Sequence, residues 1–134
     1  MSVLIDTNIL VYAWDSTDKG KQVRAIQVLN EYRNQAYLST QNLSEFSSVM
    51  IRKGYDLEWL RRVISVYSQF LKIVPVKAQE VEQAIRAVQE HAMSFWDAQI
   101  WAIALTNRIP VILSEDGPVG QVIEGVRFQN PLQS

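Results

Sequence analysis

Four acidic residues of this sequence are placed where carboxylates could form a reactive site. Asp6 and Asp116 each follow a short apolar stretch with the character of a buried strand. Glu45 and Asp97 lie in stretches whose apolar residues recur at helical spacing. Because ligands of open parallel sheets bind beyond the carboxyl ends of the strands, Asp6 and Asp116 are predicted to border one crevice. These four side chains are therefore the first candidates for catalysis.

Carboxylates that converge on one crevice need a positive counter-charge, because they otherwise repel one another or take up protons. No Lys or Arg close to these motifs in the sequence has the setting of a buried residue, so a divalent cation is the economical partner. The sequence has no Cys and a single His, His91, which leaves oxygen as the expected ligand type. Oxygen ligands favour Mg²⁺ or Mn²⁺ over zinc. Such an ion supports phosphoryl chemistry, since it activates water and stabilises charge on a leaving oxygen.

Each acid also has a structural interpretation that needs no ligand. Asp6 could cap a helix or form an Asx turn, and Asp97 could be a first-turn acid favoured by the helix dipole. Glu45 could be a solvated helix residue, and Asp116 a turn residue before a Gly-Pro pair. Glu115 could assist or substitute for Asp116, although neighbours on an extended segment point to opposite sides. The metal-site hypothesis therefore depends on the four positions together.

The elements that must position these acids alternate between strand and helix. Apolar stretches predict strands over residues 3–5, 36–38, 73–76, 111–113 and 126–128. Helical periodicity predicts helices over residues 8–14, 21–34, 57–71, 78–91 and 95–105, a helix capped by Thr40 that stops at Gly54, and a short helical turn over 119–124. Pro75 places the third strand at an edge of the sheet. The alternation predicts an α/β fold with a mostly parallel sheet.

Length and composition restrict the class of protein. The 134 residues fit one domain, residues 1–134, and 48% hydrophobic residues with only 5 Gly and 4 Pro exclude a disordered or collagen-like chain. The longest apolar run, residues 100–105, is far shorter than the roughly 20 residues of a membrane span, so we expect a soluble, cytoplasmic protein. The net charge of −1 is not the basic balance of a typical nucleic-acid-binding protein. Setting the four candidate acids apart, however, leaves a mildly basic surface.

The segments that carry these acids together resemble the PIN domain family, and most of all the small bacterial toxins called VapC. The matching segments are residues 3–10 (VLIDTNIL), 44–46 (SEF), 95–98 (FWDA) and 112–116 (ILSED). The resemblance implies a three-layer α/β/α fold, with a short, mostly parallel sheet flanked by helices, and metal-dependent endoribonuclease activity. The site residues that it implies are Asp6, Glu45, Asp97 and Asp116 for catalysis and for binding Mg²⁺ or Mn²⁺, with support from Thr7 or Asn8 and from Ser114.

The same resemblance implies partners. The substrate would be RNA, and an antitoxin protein would bind the toxin, with an Arg that could reach the acidic site. We also expect a homodimer, because apolar residues lie beside basic ones on helices that should face solvent. These apolar residues are Trp59, Leu60 and Val63, and Val23, Ile26 and Tyr32.

Two other functions fit part of the pattern. One is a different Mg²⁺-dependent phosphoryl-transfer enzyme, or a phospho-acceptor domain on a flavodoxin-like sheet. The segment after Leu113 lacks the Lys that a receiver-type module would place there. The other is a binding module that keeps the PIN fold without hydrolysis, which the presence of all four acids disfavours.

Overall fold

The computed structural model describes residues 1–133, in which a six-stranded sheet is combined with six helices. The strands are β1 (Val3–Ile5), β2 (Ala36–Ser39), β3 (Lys72–Val74), β4 (Val111–Leu113), β5 (Val122–Ile123) and β6 (Val126–Gln129). The helices are α1 (Thr7–Trp14), α2 (Lys19–Glu31), α3 (Thr40–Arg52), α4 (Leu57–Phe70), α5 (Ala78–His91) and α6 (Phe95–Thr106). The predicted alternation of strands and helices is confirmed as far as β4.

The sheet has the strand order β3-β2-β1-β4-β6-β5, and every neighbouring pair is parallel except β5 with β6. β3 lies at an edge, as Pro75 predicts. The order reverses beside β1, which lies between β2 and β4. Ile5 pairs with Leu113, and the Asp6 N–H donates to the Leu113 carbonyl at 2.9 Å. The carboxyl ends of β1 and β4 are therefore aligned, and the residues just beyond them are neighbours.

Helices cover both faces of the sheet, which explains why its central strands are apolar throughout. Leu4 and Ile112 pack in one core with residues of α5 and α6. Val3 and Ile5 point to the opposite face and pack in a second core with residues of α1, α2, α3 and α4. The predicted three-layer α/β/α arrangement is confirmed.

The middle of helix α6 is buried on all sides, as its uniform apolarity predicts, whereas Trp96 in its first turn is exposed. Every residue from Ala98 to Ala104 is buried. The Trp101 indole N–H donates to the Ile123 carbonyl at 3.0 Å, which joins the helix to β5. Ser94 caps the helix by accepting the Asp97 N–H at 3.3 Å, so the first turn of α6 is fixed with Asp97 in it.

Two local predictions are wrong. The N-cap of α3 is Ser39 rather than Thr40, because Ser39 and Asn42 form a reciprocal capping box. Residues 119–124 do not form a helical turn: β5 pairs with β6 as a hairpin through Glu124 and Gly125. Both turn residues have positive φ, 49° and 86°, which suits a two-residue hairpin turn. A Glu in the left-handed region is uncommon, so its sequence gives little signal for this turn.

The surface prediction for α4 is also wrong in part. Leu60 and Val63 are buried in the same core as Val3 and Ile5, rather than exposed beside the basic residues of α4. Val23 and Ile26 on α2 are exposed, as expected, whereas Tyr32 and Trp59 are partly buried because they pack against the same core as Leu60 and Val63. Among the described residues, no helix is long and apolar enough to span a membrane.

Candidate metal-binding cleft

A cleft of about 450 Å³ opens at the carboxyl ends of β1 and β4. All four candidate acids line this cleft, although they come from the ends of two strands and from two helices: Asp6, Glu45, Asp97 and Asp116. The cleft lies where the strand order reverses, which is the usual ligand position of an open α/β sheet.

Asp6 is the most enclosed of the four acids. It is the N-cap of α1, and its Oδ1 accepts the Thr7 N–H at 2.8 Å and a longer contact from the Asn42 amide at 3.4 Å. Its Oδ2 accepts the Ser114 hydroxyl at 2.8 Å. Burial raises the pKa of Asp6 to about 6, against the lowering effect of the Ser114 and Thr7 hydrogen bonds, and the charges of Glu45 and Asp97 raise it further. A cation beside this carboxylate would relieve that penalty.

Glu45 is oriented by hydrogen bonds to one of its two oxygens. Its Oε1 accepts from the Thr7 hydroxyl at 3.0 Å and from the Gln41 amide at 3.3 Å. Asn42 in turn donates to the Thr7 hydroxyl at 3.2 Å. Gln41 is itself held by the Gln99 amide at 2.7 Å. Glu45 Oε2 is left to face the cleft.

Asp97 and Asp116 are held less tightly. Asp97 occupies the first turn of α6, where the helix dipole favours an acid, and only its backbone N–H takes part in the cap. Asp116 is exposed, and its Oδ2 accepts from the Asn8 amide at 3.3 Å. The Asn8 side-chain oxygen accepts the Glu115 N–H at 3.3 Å, which fixes the loop that carries Asp116.

Glu115 points away from the other acids. It accepts from the Tyr12 hydroxyl and forms an ion pair with Lys21 at 2.7 Å. Burial raises its pKa, but Lys21 and Tyr12 outweigh that effect and leave the pKa below its ordinary value. Glu115 therefore secures the loop after β4 to α1 and α2, and its side chain is engaged outside the cleft.

The four acids fit a hard divalent cation. In the part of the chain that the structure describes, no ion pair joins Lys or Arg to any of them. All four offer oxygen, the ligand type of Mg²⁺ and Mn²⁺. Within residues 1–133, no three of their oxygens come within 4.8 Å of one another. To bind one ion directly, the side chains would have to move closer together, or water would have to supply the remaining ligands.

A second acidic cluster lies at the hairpin turn between β5 and β6. Glu90, His91 and Glu124 bring ligand atoms within 4.8 Å of one another, so a His could join oxygen ligands here, which the sequence analysis does not anticipate. Arg86, however, already contacts Glu90 at 2.7 Å and Glu124 at 2.9 Å. His91 contacts Glu124 at 2.8 Å. Arg86 supplies the counter-charge, and the cluster ties α5 to the hairpin.

Gln41 and Asn42 shape the cleft although the sequence does not single them out. For Lys53, beside Arg52, the sequence favours a solvated helix face over a contact with RNA phosphate. Asn42 is fully buried and contacts both Asp6 and Thr7. Gln41 contacts Glu45, and Lys53 lines the far wall of the cleft. The spacing from Glu45 could have identified these residues. Gln41 and Asn42 lie four and three residues before Glu45, and Lys53 lies eight after it, so all three are near the same face of α3 as Glu45.

Comparison with known proteins agrees with this fold. The PIN domain family model matches residues 3–120, so the chain belongs to the PIN domain family. The VapC20 toxin of Mycobacterium tuberculosis, described as cleaving the sarcin-ricin loop, is similar, with a TM-score of 0.74 and 19% identity over 87% of this chain and 92% of that one.

Two toxin–antitoxin structures are also similar. A complex from Klebsiella pneumoniae gives a TM-score of 0.73 and 23% identity over 97% of this chain and 98% of that chain. The structure of DNA-bound VapBC from Salmonella typhimurium gives a TM-score of 0.72 and 18% identity, over 98% of this chain and 98% of that chain. A search of curated protein sequences gives no match.

Proposed function

We propose that this protein is a divalent-metal-dependent endoribonuclease and the toxin of a type II toxin–antitoxin pair. The observation that carries the proposal is the meeting of four carboxylates in one cleft at the switch point of a PIN fold. The solved structures described as VapC toxins and toxin–antitoxin complexes support the same assignment.

Asp6, Asp97 and Asp116 would hold Mg²⁺ or Mn²⁺, with Glu45 as a further ligand or a base. The bound ion supplies Lewis acidity, which activates water and neutralises charge on a phosphodiester. Ser114 fixes Asp6, and Asn8 fixes Asp116, through the hydrogen bonds described above. In either role Glu45 would act through Oε2, because Thr7 and Gln41 both donate to its Oε1.

Trp96 gives the cleft a surface for a base. The residue is 60% exposed, and it lines the cleft next to Asp97. Unpaired bases bind proteins by stacking on aromatic rings, whatever their sequence. Trp96 therefore favours a single-stranded RNA segment over a duplex at this site.

The alternatives fare less well. A phospho-acceptor on a flavodoxin-like sheet is wrong in topology, because such a sheet has the order 2-1-3-4-5, whereas β1 here lies between β2 and β4. A PIN-fold binding module without hydrolysis predicts no cleavage under any metal condition, which the experiment below separates from the proposal.

RNA cleavage tests the proposal directly. We expect the purified protein to cleave single-stranded RNA with Mg²⁺ or Mn²⁺ and not with a chelator, because the acids need the ion for catalysis. The ion should also stabilise the fold by about 2.7 kcal/mol at one hundred times its dissociation constant. For a domain of this size, the melting temperature then rises by roughly 5–10 °C. An unchanged melting curve at saturating Mn²⁺, together with intact RNA, would contradict the proposal.

An apolar groove on the face opposite α5 and α6 offers a site for an antitoxin segment. The groove has a volume of about 460 Å³ and runs between α1, α2 and α4. Ile26 and Phe70 line it, and Phe70 is 76% exposed. Several solved structures with a similar fold are toxin–antitoxin complexes. We therefore propose that a helical antitoxin segment with aliphatic or aromatic anchors occupies this groove.

Changing Phe70 to Ser should weaken binding of the adjacent gene product by at least roughly 30-fold, since a buried aromatic anchor contributes about 2 kcal/mol or more. RNA cleavage should be unchanged, because the groove lies outside the acidic cleft. Calorimetry with the copurified partner measures this effect. Val122→Ser is the matched control, because Val122 is an exposed apolar residue on β5 at the other side of the sheet. Equal weakening by both variants would refute the groove.

The homodimer is proposed through α5, whose exposed face carries an apolar stripe at helical spacing. The stripe comprises Val81, Ile85 and Val88, and Ile85 is 58% exposed. We expect Ile85→Glu to convert a dimer into a monomer in light scattering at micromolar concentration, because it places two like charges in a two-fold interface. Gln79→Glu, an exposed position on the same helix that points away from the stripe, is the control. A wild-type protein that is already monomeric would contradict this proposal.

A further inference from the structure

One ion pair lies inside the cleft, opposite the acids. The Lys53 ammonium is 2.8 Å from Oδ2 of Asp15, and both residues line the cleft. Asp15 Oδ1 also accepts the Thr17 N–H at 3.1 Å and the Thr17 hydroxyl at 2.7 Å. Lys53 is the only Lys or Arg among the described side chains that line this cleft. In the free protein, Lys53 is therefore paired with the Asp15 carboxylate, which Thr17 holds in place.

Lys53 is placed at a fixed distance from the candidate reaction centre. Glu45 and Val49 of α3 and its C-cap residue Lys53 are spaced four residues apart, and all three line the cleft. Eight residues of α-helix advance about 12 Å, so the Lys53 backbone lies well beyond contact with a phosphate at Glu45. A strand of RNA that crosses the cleft from Asp97 towards α1 would bring a neighbouring phosphate to Lys53.

We propose that Lys53 binds an RNA phosphate next to the one that is cleaved, and that Asp15 occupies Lys53 until RNA displaces it. This inference rests on the proposed ribonuclease function and identifies a binding contact of that site. A polyanion entering a cleft lined by carboxylates needs a positive charge beyond that of the metal ion. Lys53 provides it, and pairing with Asp15 keeps its ammonium away from the acids that must hold the ion.

The exchange of Asp15 for a phosphate is energetically easy. The Lys53 side chain is 40% exposed, and exposed ion pairs contribute little to stability. Asp15 keeps both Thr17 hydrogen bonds after release, so it is not left without partners. A phosphate oxygen accepts from an ammonium as a carboxylate does. The same chemistry that holds the pair in the free protein therefore suits the RNA.

Steady-state cleavage of a short labelled single-stranded oligoribonucleotide with Mg²⁺ gives the first test. Lys53→Gln should raise KM roughly fivefold to tenfold and leave kcat within about twofold, because a contact remote from the reacting bond is equal in ground and transition states. Lys53→Arg should restore KM. Lys72→Gln is the matched control, since Lys72 is an exposed residue at the opposite end of the strands.

Lys53→Gln also leaves the Asp15 carboxylate without its partner, and that charge could itself repel RNA. A double variant separates this repulsion from loss of the phosphate contact. Asp15→Asn alone should lower KM, because it frees Lys53. Asp15→Asn with Lys53→Gln should keep the high KM of Lys53→Gln. If the double variant returned to the wild-type KM, repulsion by Asp15 would explain the loss and the proposed phosphate contact would be wrong.

Salt dependence supplies a second readout that a purely structural ion pair would not change. In the Asp97→Asn background, which should bind RNA without cutting it, fluorescence anisotropy gives the affinity at several salt concentrations. Lys53→Gln should reduce the slope of log affinity against log salt by about 0.7, the value for one phosphate contact on a single strand.

The possible failures are distinguishable. Wild-type protein that neither cleaves nor binds the oligoribonucleotide would overturn the proposed function, and this inference with it. Wild-type protein that cleaves, with KM and salt slope unchanged in Lys53→Gln, would overturn the Lys53 assignment alone. A fall in kcat and melting temperature at constant KM would show that the pair only joins the ends of α1 and α3, and would also overturn it.

Discussion

Replacing Asp97 with Asn is expected to lower RNA cleavage at least roughly 10³-fold, because one of the charges proposed to bind the metal ion is lost. The fold should survive this change. Ser94 caps α6 through the Asp97 backbone N–H, which the substitution keeps. Asn and Asp also have nearly the same shape, so the buried part of α6 is undisturbed. The same loss is expected for Asp6→Asn and Asp116→Asn.

The measurement is initial cleavage rate with Mg²⁺, paired with a melting curve for each variant. Asp56→Asn is the matched control: Asp56 is the N-cap of α4, and Asn caps a helix about as well as Asp. Its activity should stay close to that of the wild type. A folded Asp97→Asn protein that retains a substantial share of the wild-type rate would refute the site assignment.

Changing Gly117 to Ala is expected to reduce cleavage roughly 100-fold, since displacement of a catalytic group by about 1 Å has an effect of that order. A Cβ at this position would lie 2.8 Å from Cδ1 of Phe128, a ring that is buried and cannot move aside. The loop that carries Asp116 must therefore shift. The Gly117 N–H also donates to Ser114, so the disturbance reaches Asp6 through the Ser114 hydroxyl.

Two comparisons make this result specific. Gly20→Ala lies in α2, where the new Cβ meets only Asp18 at 3.5 Å, and it should be neutral or slightly stabilising. The double variant Gly117→Ala with Phe128→Leu should regain part of the activity, because a smaller side chain leaves room for the Cβ. If the double variant were no better than Gly117→Ala, the clash with Phe128 would not be the cause.

Much of the fold is predictable because it depends on local patterns. The apolar strands before Asp6 and Asp116 are recognisable, and parallel strands end at the same edge of a sheet, so the approach of these two acids follows. The hairpin of β5 and β6 is not predictable in this way. Its turn depends on Glu124 adopting a conformation that few non-glycine residues favour.

Of the residues that line the cleft, the acids can be predicted from the sequence, but the Lys53–Asp15 ion pair cannot. Lys53 and Asp15 lie 38 residues apart, at the ends of different helices, and no local pattern brings them together. The prediction that Leu60 and Val63 of α4 are exposed is wrong for a related reason. Helical spacing shows that Leu60 and Val63 share a face, but it cannot tell which face meets the core. Packing of α4 against α3 and β3 decides this, and it leaves Phe70 exposed instead.

The position of β1 between β2 and β4 has a consequence for the order of synthesis. Asp6 and Ser114 touch in the fold but are 108 residues apart in the chain. At 5–20 residues per second, a ribosome needs roughly 5–20 s to make the intervening segment. Throughout that interval β1 lacks at least one of its two neighbours, β4, and Asp116, the cleft acid that follows β4, has not been made. A nascent chain therefore has no assembled cleft until Asp116 has been made, and translation itself delays the activity proposed for that cleft.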